Sequence, residues 1–254
     1  MSTTRLDGRR IIITGGASGM GEALVRAFPA LGGKVVSLDL TEESGTRIAA
    51  EAGARFIKVD VSSKQSVDAA FDAAVEELGG LDVLVHAAGI APSSPAEDTG
   101  VDLWTRVLSV NSLGTLLTNQ AAFRALKDNG GSIINFASAA GITGLRNKAA
   151  YAASKGAVVA FSRTLAGEWA RYGISVNMIA PAIWTPMYDK TRSEMTPELL
   201  AAHDEQLSRA IPLGGRLGDV TSDFVPVMAF YASEGAGFVT GQVISIDGGT
   251  LMVR

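Results

Sequence analysis

The chain has 254 residues, of which 47% are hydrophobic and 19% charged, and a formal net charge of −4. This length fits one large α/β domain or two small ones, and because no linker interrupts the chain we expect a single domain over residues 1–254; the composition argues against a disordered chain. Because Lys and Arg are not clustered, no nucleic-acid partner is expected. The chain has no cysteine and only 2 histidines, which excludes disulfides, thiolate zinc sites and three-histidine sites, so no metal is predicted.

The distribution of apolar residues also bears on location. No stretch approaches the run of about 18 apolar residues that a membrane span needs. The N-terminal residues are polar, unlike those of a signal peptide. We therefore expect no membrane partner and a cytoplasmic location.

Seven short runs rich in aliphatic and β-branched residues predict strands at 10–14, 34–39, 55–60, 81–86, 132–138, 174–180 and 243–247. The runs show little alternation of apolar and polar residues, as is typical of strands covered on both faces. Helical patterns lie between them near 19–32, 42–52, 64–78, 101–127, 150–172 and 219–232. This alternation predicts an α/β fold with a doubly wound parallel sheet and right-handed crossovers.

Two later segments depart from the regular pattern. The stretch at about 182–215 is irregular apart from a short helical piece after Thr196, and such a long loop predicts a substrate loop or lid. Pro226 lies within the last helical pattern and is predicted to kink or restart that helix.

The first strand leads directly into a glycine-rich turn, Thr14–Gly21, which opens the first helix. Gly15 permits the tight turn, Gly19 permits close approach to a pyrophosphate, and Gly21 permits close packing of helix on strand. The helix N-terminus would then face the phosphates with its free N–H groups. An ordinary βα turn is the alternative, but the position between the first strand and the first helix favours a dinucleotide site.

Asp39 ends the second strand, where an acidic side chain can accept hydrogen bonds from the adenosine ribose and repel a 2′-phosphate. The turn carries Ala17 and Ser18 rather than a basic residue, so the cofactor is predicted to be NAD. A solvated carboxylate at a strand end is the alternative. Asp60 and Val61 end the third strand and are predicted to contact adenine, with helix capping by Asp60 or Ser62 as the alternative.

Tyr151 and Lys155 are four residues apart in a helical pattern and therefore share one face. A tyrosine titrates near about pH 10, so a neighbouring cation is needed to favour the phenolate. Ser138 ends the fifth strand and could hydrogen-bond the substrate oxygen while Tyr151 transfers its proton. A pair of surface residues four apart on a helix would explain the tyrosine and the lysine alone. It would not explain their combination with the glycine turn and Ser138.

With these features in order, the chain resembles the short-chain dehydrogenase/reductase family over essentially its whole length. The matching pieces are Thr14–Gly21, Asp60, Ala88-Gly89, Asn111, Ser138, Tyr151 with Lys155, and Gly241-Gln242 with Asp247-Gly248-Gly249. The resemblance implies a three-layer Rossmann-type fold with a seven-stranded parallel sheet. It also implies a homotetramer in which the helices near 101–127 and 150–172 pair with those of a second copy. These helices carry more apolar residues than are needed for one face packed against the sheet.

The resemblance further implies a catalytic tetrad. Tyr151 would be the acid and base, Ser138 the partner of the substrate oxygen, and Lys155 a ribose ligand that tunes Tyr151. Asn111 would hold a water in a proton relay to Lys155. The predicted cofactor contacts are Gly15, Ser18, Gly19, Met20, Gly21, Asp39, Asp60, Val61, Ala88, Gly89, Tyr151, Lys155, Pro181, Ile183 and Thr185.

Two positions depart from the family pattern. His86 stands where the family has an asparagine that ties the sheet together, and we interpret it as a structural replacement. The segment Pro181–Thr185 lacks the family glycine and is one residue shorter. The role of binding the nicotinamide carboxamide is therefore assigned to the Ile183 backbone and to Thr185.

An apolar substrate wall is predicted from Leu145, Trp184, Met187 and Tyr188, with loop packing as the alternative. Arg146 could meet a substrate carboxylate, but a solvated side chain is favoured, so a neutral substrate is expected. The sequence thus predicts an NAD(H)-dependent oxidoreductase of a secondary alcohol or ketone. The alternatives are an acyl-thioester ketoreductase that uses NADPH and a non-catalytic dinucleotide sensor.

Overall fold

The central sheet of the computed structural model, which describes residues 4–251, has seven parallel strands. They are β1 (Arg10–Thr14), β2 (Lys34–Asp39), β3 (Arg55–Lys58), β4 (Val83–His86), β5 (Gly131–Phe136), β6 (Ile174–Pro181) and β7 (Val243–Ile246). Side chains at positions 186, 187, 190 and 191 are not described. The order β3-β2-β1-β4-β5-β6-β7 confirms the predicted doubly wound sheet.

Ten α-helices lie in the described range 4–251. They are α1 (Gly19–Ala27), α2 (Glu42–Ala52), α3 (Lys64–Leu78), α4 (Val101–Leu108), α5 (Gly114–Leu126), α6 (Ala140–Thr143), α7 (Ala149–Trp169), α8 (Pro186–Ser193), α9 (Pro197–Ala210) and α10 (Val225–Ala232). None of these helices within 4–251 is long and apolar enough to cross a membrane.

The core lies on both faces of the sheet, which explains why the strands lack polar alternation. Ile12 of β1 packs on one face with α3, α5 and α7, while Ile11 and Ile13 pack on the other with α1, α2 and α10. All three isoleucines are fully buried, and each stabilises the fold by about 1.5–3 kcal/mol relative to an exposed side chain.

The predicted helix at 101–127 is interrupted. Between α4 and α5 the backbone widens into a π-type segment, Ser109–Leu113, whose centre is the buried Asn111. Such widened turns in a helix are frequent at functional sites because they redirect a side chain or a carbonyl group.

The stretch at 182–215 is more helical than predicted, since α8 and α9 occupy most of it: α9 begins after Thr196 as predicted and is longer than expected, whereas α8 was not predicted. Each helix has proline at its first position and a threonine cap before it. The Thr185 hydroxyl accepts from the Tyr188 N–H and the Thr196 hydroxyl from the Leu199 N–H. Proline at the first helical position has no intrahelical N–H to lose, so these prolines start helices rather than break them. Pro226 likewise lies in the first turn of α10, as predicted.

Candidate active site

A cleft of about 640 Å³ opens at the carboxyl edge of the sheet. It lies at the neighbouring strands β1 and β4, where the strand order reverses and the chain continues toward opposite sides of the sheet. This is the crevice in which doubly wound sheets bind their ligands. Of the predicted cofactor contacts, all except Ile183 line it, and Ser138 lines it too. Asn111 lies beneath, almost fully buried.

The glycine turn has the geometry that a dinucleotide phosphate requires. Gly15 has φ +73°, and a Cβ there would lie 2.7 Å from the Ala88 nitrogen. A Cβ on Gly21 would lie 2.1 Å from the Gly15 carbonyl oxygen, so only glycine permits this packing. Gly19 has φ +56° and faces open space, while Ser18 makes no side-chain cap on α1. The first N–H groups of α1 are therefore available to an anion.

Two acidic residues line the cleft beyond the glycine turn. Asp39 is held at the end of β2 because its Oδ2 accepts from the Ala17 N–H at 3.0 Å and its Oδ1 from the Thr41 N–H at 2.9 Å. Asp60 accepts from both the N–H and the hydroxyl of Ser62. The capping role considered for Asp60 falls instead to Ser63, whose side chain accepts from the backbone of α3.

Side chains from β5, α7 and the π-type segment form the catalytic group. The Ser138 hydroxyl is close enough to the Tyr151 phenol to lower its pKa. The Lys155 Nζ lies 5.9 Å from the centre of the Tyr151 ring and donates to the Phe136 carbonyl oxygen at 2.6 Å. The Asn111 amide donates to the Ile90 carbonyl and to the Ser154 hydroxyl, each at 2.9 Å. A Cβ on Gly89 would lie 3.2 Å from the Asn111 Oδ1 and 3.5 Å from the Lys155 Nζ, so Gly89 leaves room for these two side chains.

The catalytic side chains have shifted pKa values. Burial raises the pKa of Tyr151 above its ordinary value, and the nearby Ser138 hydroxyl opposes that rise. Burial lowers the pKa of Lys155 to about 8. The Lys155 ammonium is directed at a backbone carbonyl rather than at the phenol. The tyrosine and lysine alone therefore do not produce a phenolate, as expected from one lysine without a bound cation.

His86 is enclosed at the end of β4 behind the catalytic group. Its Nδ1 lies 2.8 Å from the Thr14 hydroxyl and 3.0 Å from the Thr118 hydroxyl, which links β4 to β1 and α5. Its Nε2 is buried without a hydrogen-bond partner among the described residues. Burial, and secondly the positive charge of Lys155, lower the pKa of His86 to about 3. The imidazole is therefore neutral at ordinary pH.

The predicted substrate wall is not assembled as expected. Leu145 is 57% exposed, and neither Leu145, Trp184 nor Tyr188 lines the cleft. Trp184 and Tyr188 pack edge to face, and the Tyr188 hydroxyl lies 2.6 Å from the His203 Nε2. These two aromatic rings lie where α8 and α9 contact each other, through Tyr188 with His203 and Arg192 with Asp204. The Met187 side chain lies outside the described residues.

The segment after β6 divides between core and cleft. Pro181 and Thr185 line the cleft. Ile183 is only 7% exposed, and its side chain packs in the core, away from the cleft. A bridge between Ile183 and Gly218 holds the segment, which explains why only its two ends reach the cleft.

Comparisons with known proteins agree with this geometry. A family model described as enoyl-(acyl carrier protein) reductase matches residues 15–250. D-threitol dehydrogenase of Mycolicibacterium smegmatis is 36% identical over 252 residues, 96% of this chain and 94% of that protein. Levodione reductase of Leifsonia aquatica is 34% identical, over 97% and 96% of the two chains.

A crystal structure of levodione reductase superposes with a TM-score of 0.86 at 32% identity, covering 96% of this chain and 98% of that chain. Another relative, trans-4-hydroxycyclohexanecarboxylate dehydrogenase of Sinomonas cyclohexanicum, is 36% identical over 94% of this chain and 91% of its own. The chain belongs to the short-chain dehydrogenase/reductase family.

As a short-chain dehydrogenase/reductase, the protein belongs to a family that uses nicotinamide dinucleotides, and the cleft fits one. The uncapped N-terminus of α1 and the open space at Gly19 suit a pyrophosphate. The backbone-held carboxylate of Asp39 suits a ribose with free hydroxyl groups.

The sequence analysis of this short-chain dehydrogenase/reductase missed two cations. Arg106 lines the cleft from the last turn of α4, and the structure shows no ion pair for it among the described residues. In the sequence, the one signal for the position of Arg106 is that it precedes Val110 by four residues. Side chains four apart share one face of a helix, and Val110 also lines the cleft. Lys148 is half-buried and donates a short hydrogen bond to the Ala91 carbonyl oxygen, which no local pattern predicts.

Proposed function

We propose that the protein is an NAD(H)-dependent oxidoreductase that interconverts a secondary alcohol and a ketone. The relatives support the reaction class because their names are those of dehydrogenases and reductases, including D-threitol dehydrogenase and levodione reductase. The pairing of Ser138 with Tyr151 in the cleft supports it chemically, since these groups suit an oxygen that gains or loses a proton.

A nicotinamide dinucleotide bound in the cleft supplies the hydride acceptor or donor. The Ser138 hydroxyl orients the substrate oxygen and stabilises the charge that develops on it. The Tyr151 phenolate accepts the alcohol proton during oxidation, and the Tyr151 phenol donates a proton to the oxygen during ketone reduction. Lys155, fixed by the Phe136 carbonyl, holds positive charge beside the phenol, and Asn111 supports the proton path to Lys155.

The preference for NAD is carried by Asp39. Two backbone N–H groups fix its carboxylate at the edge of the cleft. A 2′-phosphate about 4 Å away would be repelled by up to about 4 kcal/mol at an effective dielectric of about 20. Since tenfold in affinity is about 1.4 kcal/mol, NAD is preferred by up to two to three powers of ten. Arg106 is the cleft cation that would offset part of this repulsion.

The test compares kcat/KM for NAD and NADP in the wild type, Asp39→Ala and Glu43→Ala. Glu43 is an exposed carboxylate four residues along the chain that does not line the cleft, so its loss is the matched control. We expect Asp39→Ala to narrow the preference chiefly by improving NADP binding, and Glu43→Ala to leave it unchanged. A wild type that prefers NADPH contradicts the assignment.

Two other classes of function, reduction of an acyl thioester and cofactor sensing without turnover, are the alternatives. The description of the family model favours reduction of an enoyl thioester, and a 3-oxoacyl thioester with NADPH is the related ketoreductase alternative. Asp39 argues against NADPH in both. A dinucleotide-sensing protein without turnover would retain cofactor binding and show no activity with any alcohol or ketone.

We further propose that the protein assembles as a homotetramer in which α5 and α7 pair with their counterparts in a second copy. Leu117, Leu165 and Trp169 of these helices are buried in the core, so they do not serve an interface. A shallow depression of about 260 Å³ is lined by Ser112, Leu113, Leu116, Ala157, Val158 and Phe161, of which Val158 is itself almost fully buried. Leu113 is 40% exposed there, which suits a subunit contact.

A further inference from the structure

Lys148 is a half-buried cation next to the reacting groups. It precedes α7 directly, and Tyr151 follows three residues later in the first turn of that helix. The Lys148 ammonium donates a short hydrogen bond to the Ala91 carbonyl, and Ala91 lines the same cleft as Tyr151 and Ser138. The side chain thus reaches from the residue before α7 to the loop after β4. Lys148 does not itself line the cleft, but Ala91, whose carbonyl its ammonium contacts, does.

The backbone on both sides holds this lysine in place. Asn147 has φ 57°, and among residues 4–251 it is the one residue other than glycine with a positive φ. The Ser94 N–H donates to the Asn147 carbonyl at 2.8 Å, and Ser94 and Lys148 form an isolated parallel bridge. An unusual backbone conformation persists where the surrounding contacts determine it, and such positions cluster at ligand sites.

The charge of Lys148 is not balanced within the described part of the chain. No carboxylate there lies within 4.0 Å of its ammonium group, and burial lowers its pKa. An ammonium has three donors, and the structure shows one of them used, on Ala91. Arg192 differs, since Asp204 binds its guanidinium through two oxygens, and Arg146 differs because it is exposed to solvent.

We infer that Lys148 binds an anionic group of the substrate, and that the substrate is a hydroxy acid or the corresponding oxo acid. This inference rests on the proposed alcohol oxidoreductase activity. Ser138 and Tyr151 hold the reacting oxygen, and the free donors of Lys148 receive the carboxylate. The expectation of a neutral substrate is thereby replaced, because the fold brings in Lys148 rather than Arg146.

Matched pairs of substrates test the charge directly. 3-Hydroxybutyrate is compared with 3-hydroxybutyramide, and 4-hydroxycyclohexanecarboxylate with its carboxamide, by kcat/KM in the wild type, Lys148→Gln and Arg146→Gln. Glutamine still reaches toward Ala91 but removes the charge. Loss of a hydrogen bond to a charged group weakens binding by about 10- to 100-fold.

We expect the wild type to prefer an acid over its amide by about tenfold or more, mainly through KM. In Lys148→Gln the kcat/KM for that acid falls by about 10- to 100-fold while that for the amide changes little. Arg146→Gln changes neither. A wild type that uses the amides as well as the acids overturns the inference, and so does an equal loss for acid and amide in Lys148→Gln.

A second measurement needs no variant. Calorimetry with the wild type and saturating dinucleotide compares cyclohexanecarboxylate with cyclohexanecarboxamide, which cannot react at a hydroxyl carbon. Tighter binding of the carboxylate supports the inference, and equal or weaker binding overturns it. Turnover restricted to neutral alcohols overturns this inference alone, whereas absence of turnover with every alcohol and ketone overturns the proposed function.

Discussion

Replacing His86 by asparagine tests whether the buried imidazole is neutral in the folded protein. Burial and the nearby charge of Lys155 lower the pKa of His86 to about 3, whereas histidine in an unfolded chain titrates near about 6.5. Above pH 6.5 both states are neutral, and the stabilising contribution is fully present. As the pH falls below that value, the unfolded chain gains a proton that the folded chain does not, and stability is lost until about pH 3.

The magnitude follows from this difference in pKa. Each pH unit within the window costs about 1.4 kcal/mol of unfolding free energy. Between pH 7 and pH 5, His86 therefore removes about 2 kcal/mol from the stability of the wild type. The His86→Asn variant has no such group, so the stability difference between wild type and variant decreases by about 2 kcal/mol over this range.

The assay is urea unfolding followed by circular dichroism at pH 7 and pH 5, with ionic strength and protomer concentration held constant. His203→Asn is the matched control, because His203 is the other of the 2 histidines in the chain and lies in α9 beside Tyr188. The His203→Asn variant retains the buried His86 imidazole, so it should still show the loss of stability that His86 causes between pH 7 and pH 5. A difference between wild type and His86→Asn that is the same at both pH values would refute the neutral, enclosed imidazole.

Two other predictions concern chemistry and assembly. Tyr151→Phe removes one hydroxyl from the catalytic group, so turnover should fall at least about 10²-fold. NADH binding, measured by fluorescence titration, should change little. Near-normal turnover in this variant would show that Tyr151 is not part of the mechanism. Light scattering at micromolar concentration should show four chains in the wild type and fewer in Phe161→Glu, which places a charge in the depression on α5 and α7. Leu199→Glu, on the exposed face of α9, is the control and should leave the mass unchanged. A monomeric wild type contradicts the assembly.

Much of the fold follows from local patterns in the sequence. All seven predicted strands are present, because strands covered on both faces must be continuously apolar, and that requirement is visible residue by residue. The glycine turn was predictable for a similar reason. Gly15 needs a positive φ and Gly21 needs close contact, and both requirements act on the backbone at fixed positions.

Helices α8 and α9 show where local patterns mislead. The sequence pattern predicts a helical piece after Thr196 but none after Thr185, yet in both helices proline occupies the first helical position behind a threonine cap. Whether a proline breaks or starts a helix depends on its place relative to the cap, and that place is decided when α8 and α9 form.

The sequence, together with the family resemblance, identified the candidate catalytic residues, since Ser138 follows the fifth strand and Tyr151 and Lys155 lie near the amino end of α7. It did not determine the charges around them. Lys148 contacts Ala91 across 57 positions of the chain, and His86 is enclosed by threonines from β1 and α5. Burial and its effect on a charge depend on which distant segments surround a side chain. Only the tertiary structure therefore decided that Lys148 has no carboxylate partner among the described residues and that the His86 imidazole is neutral.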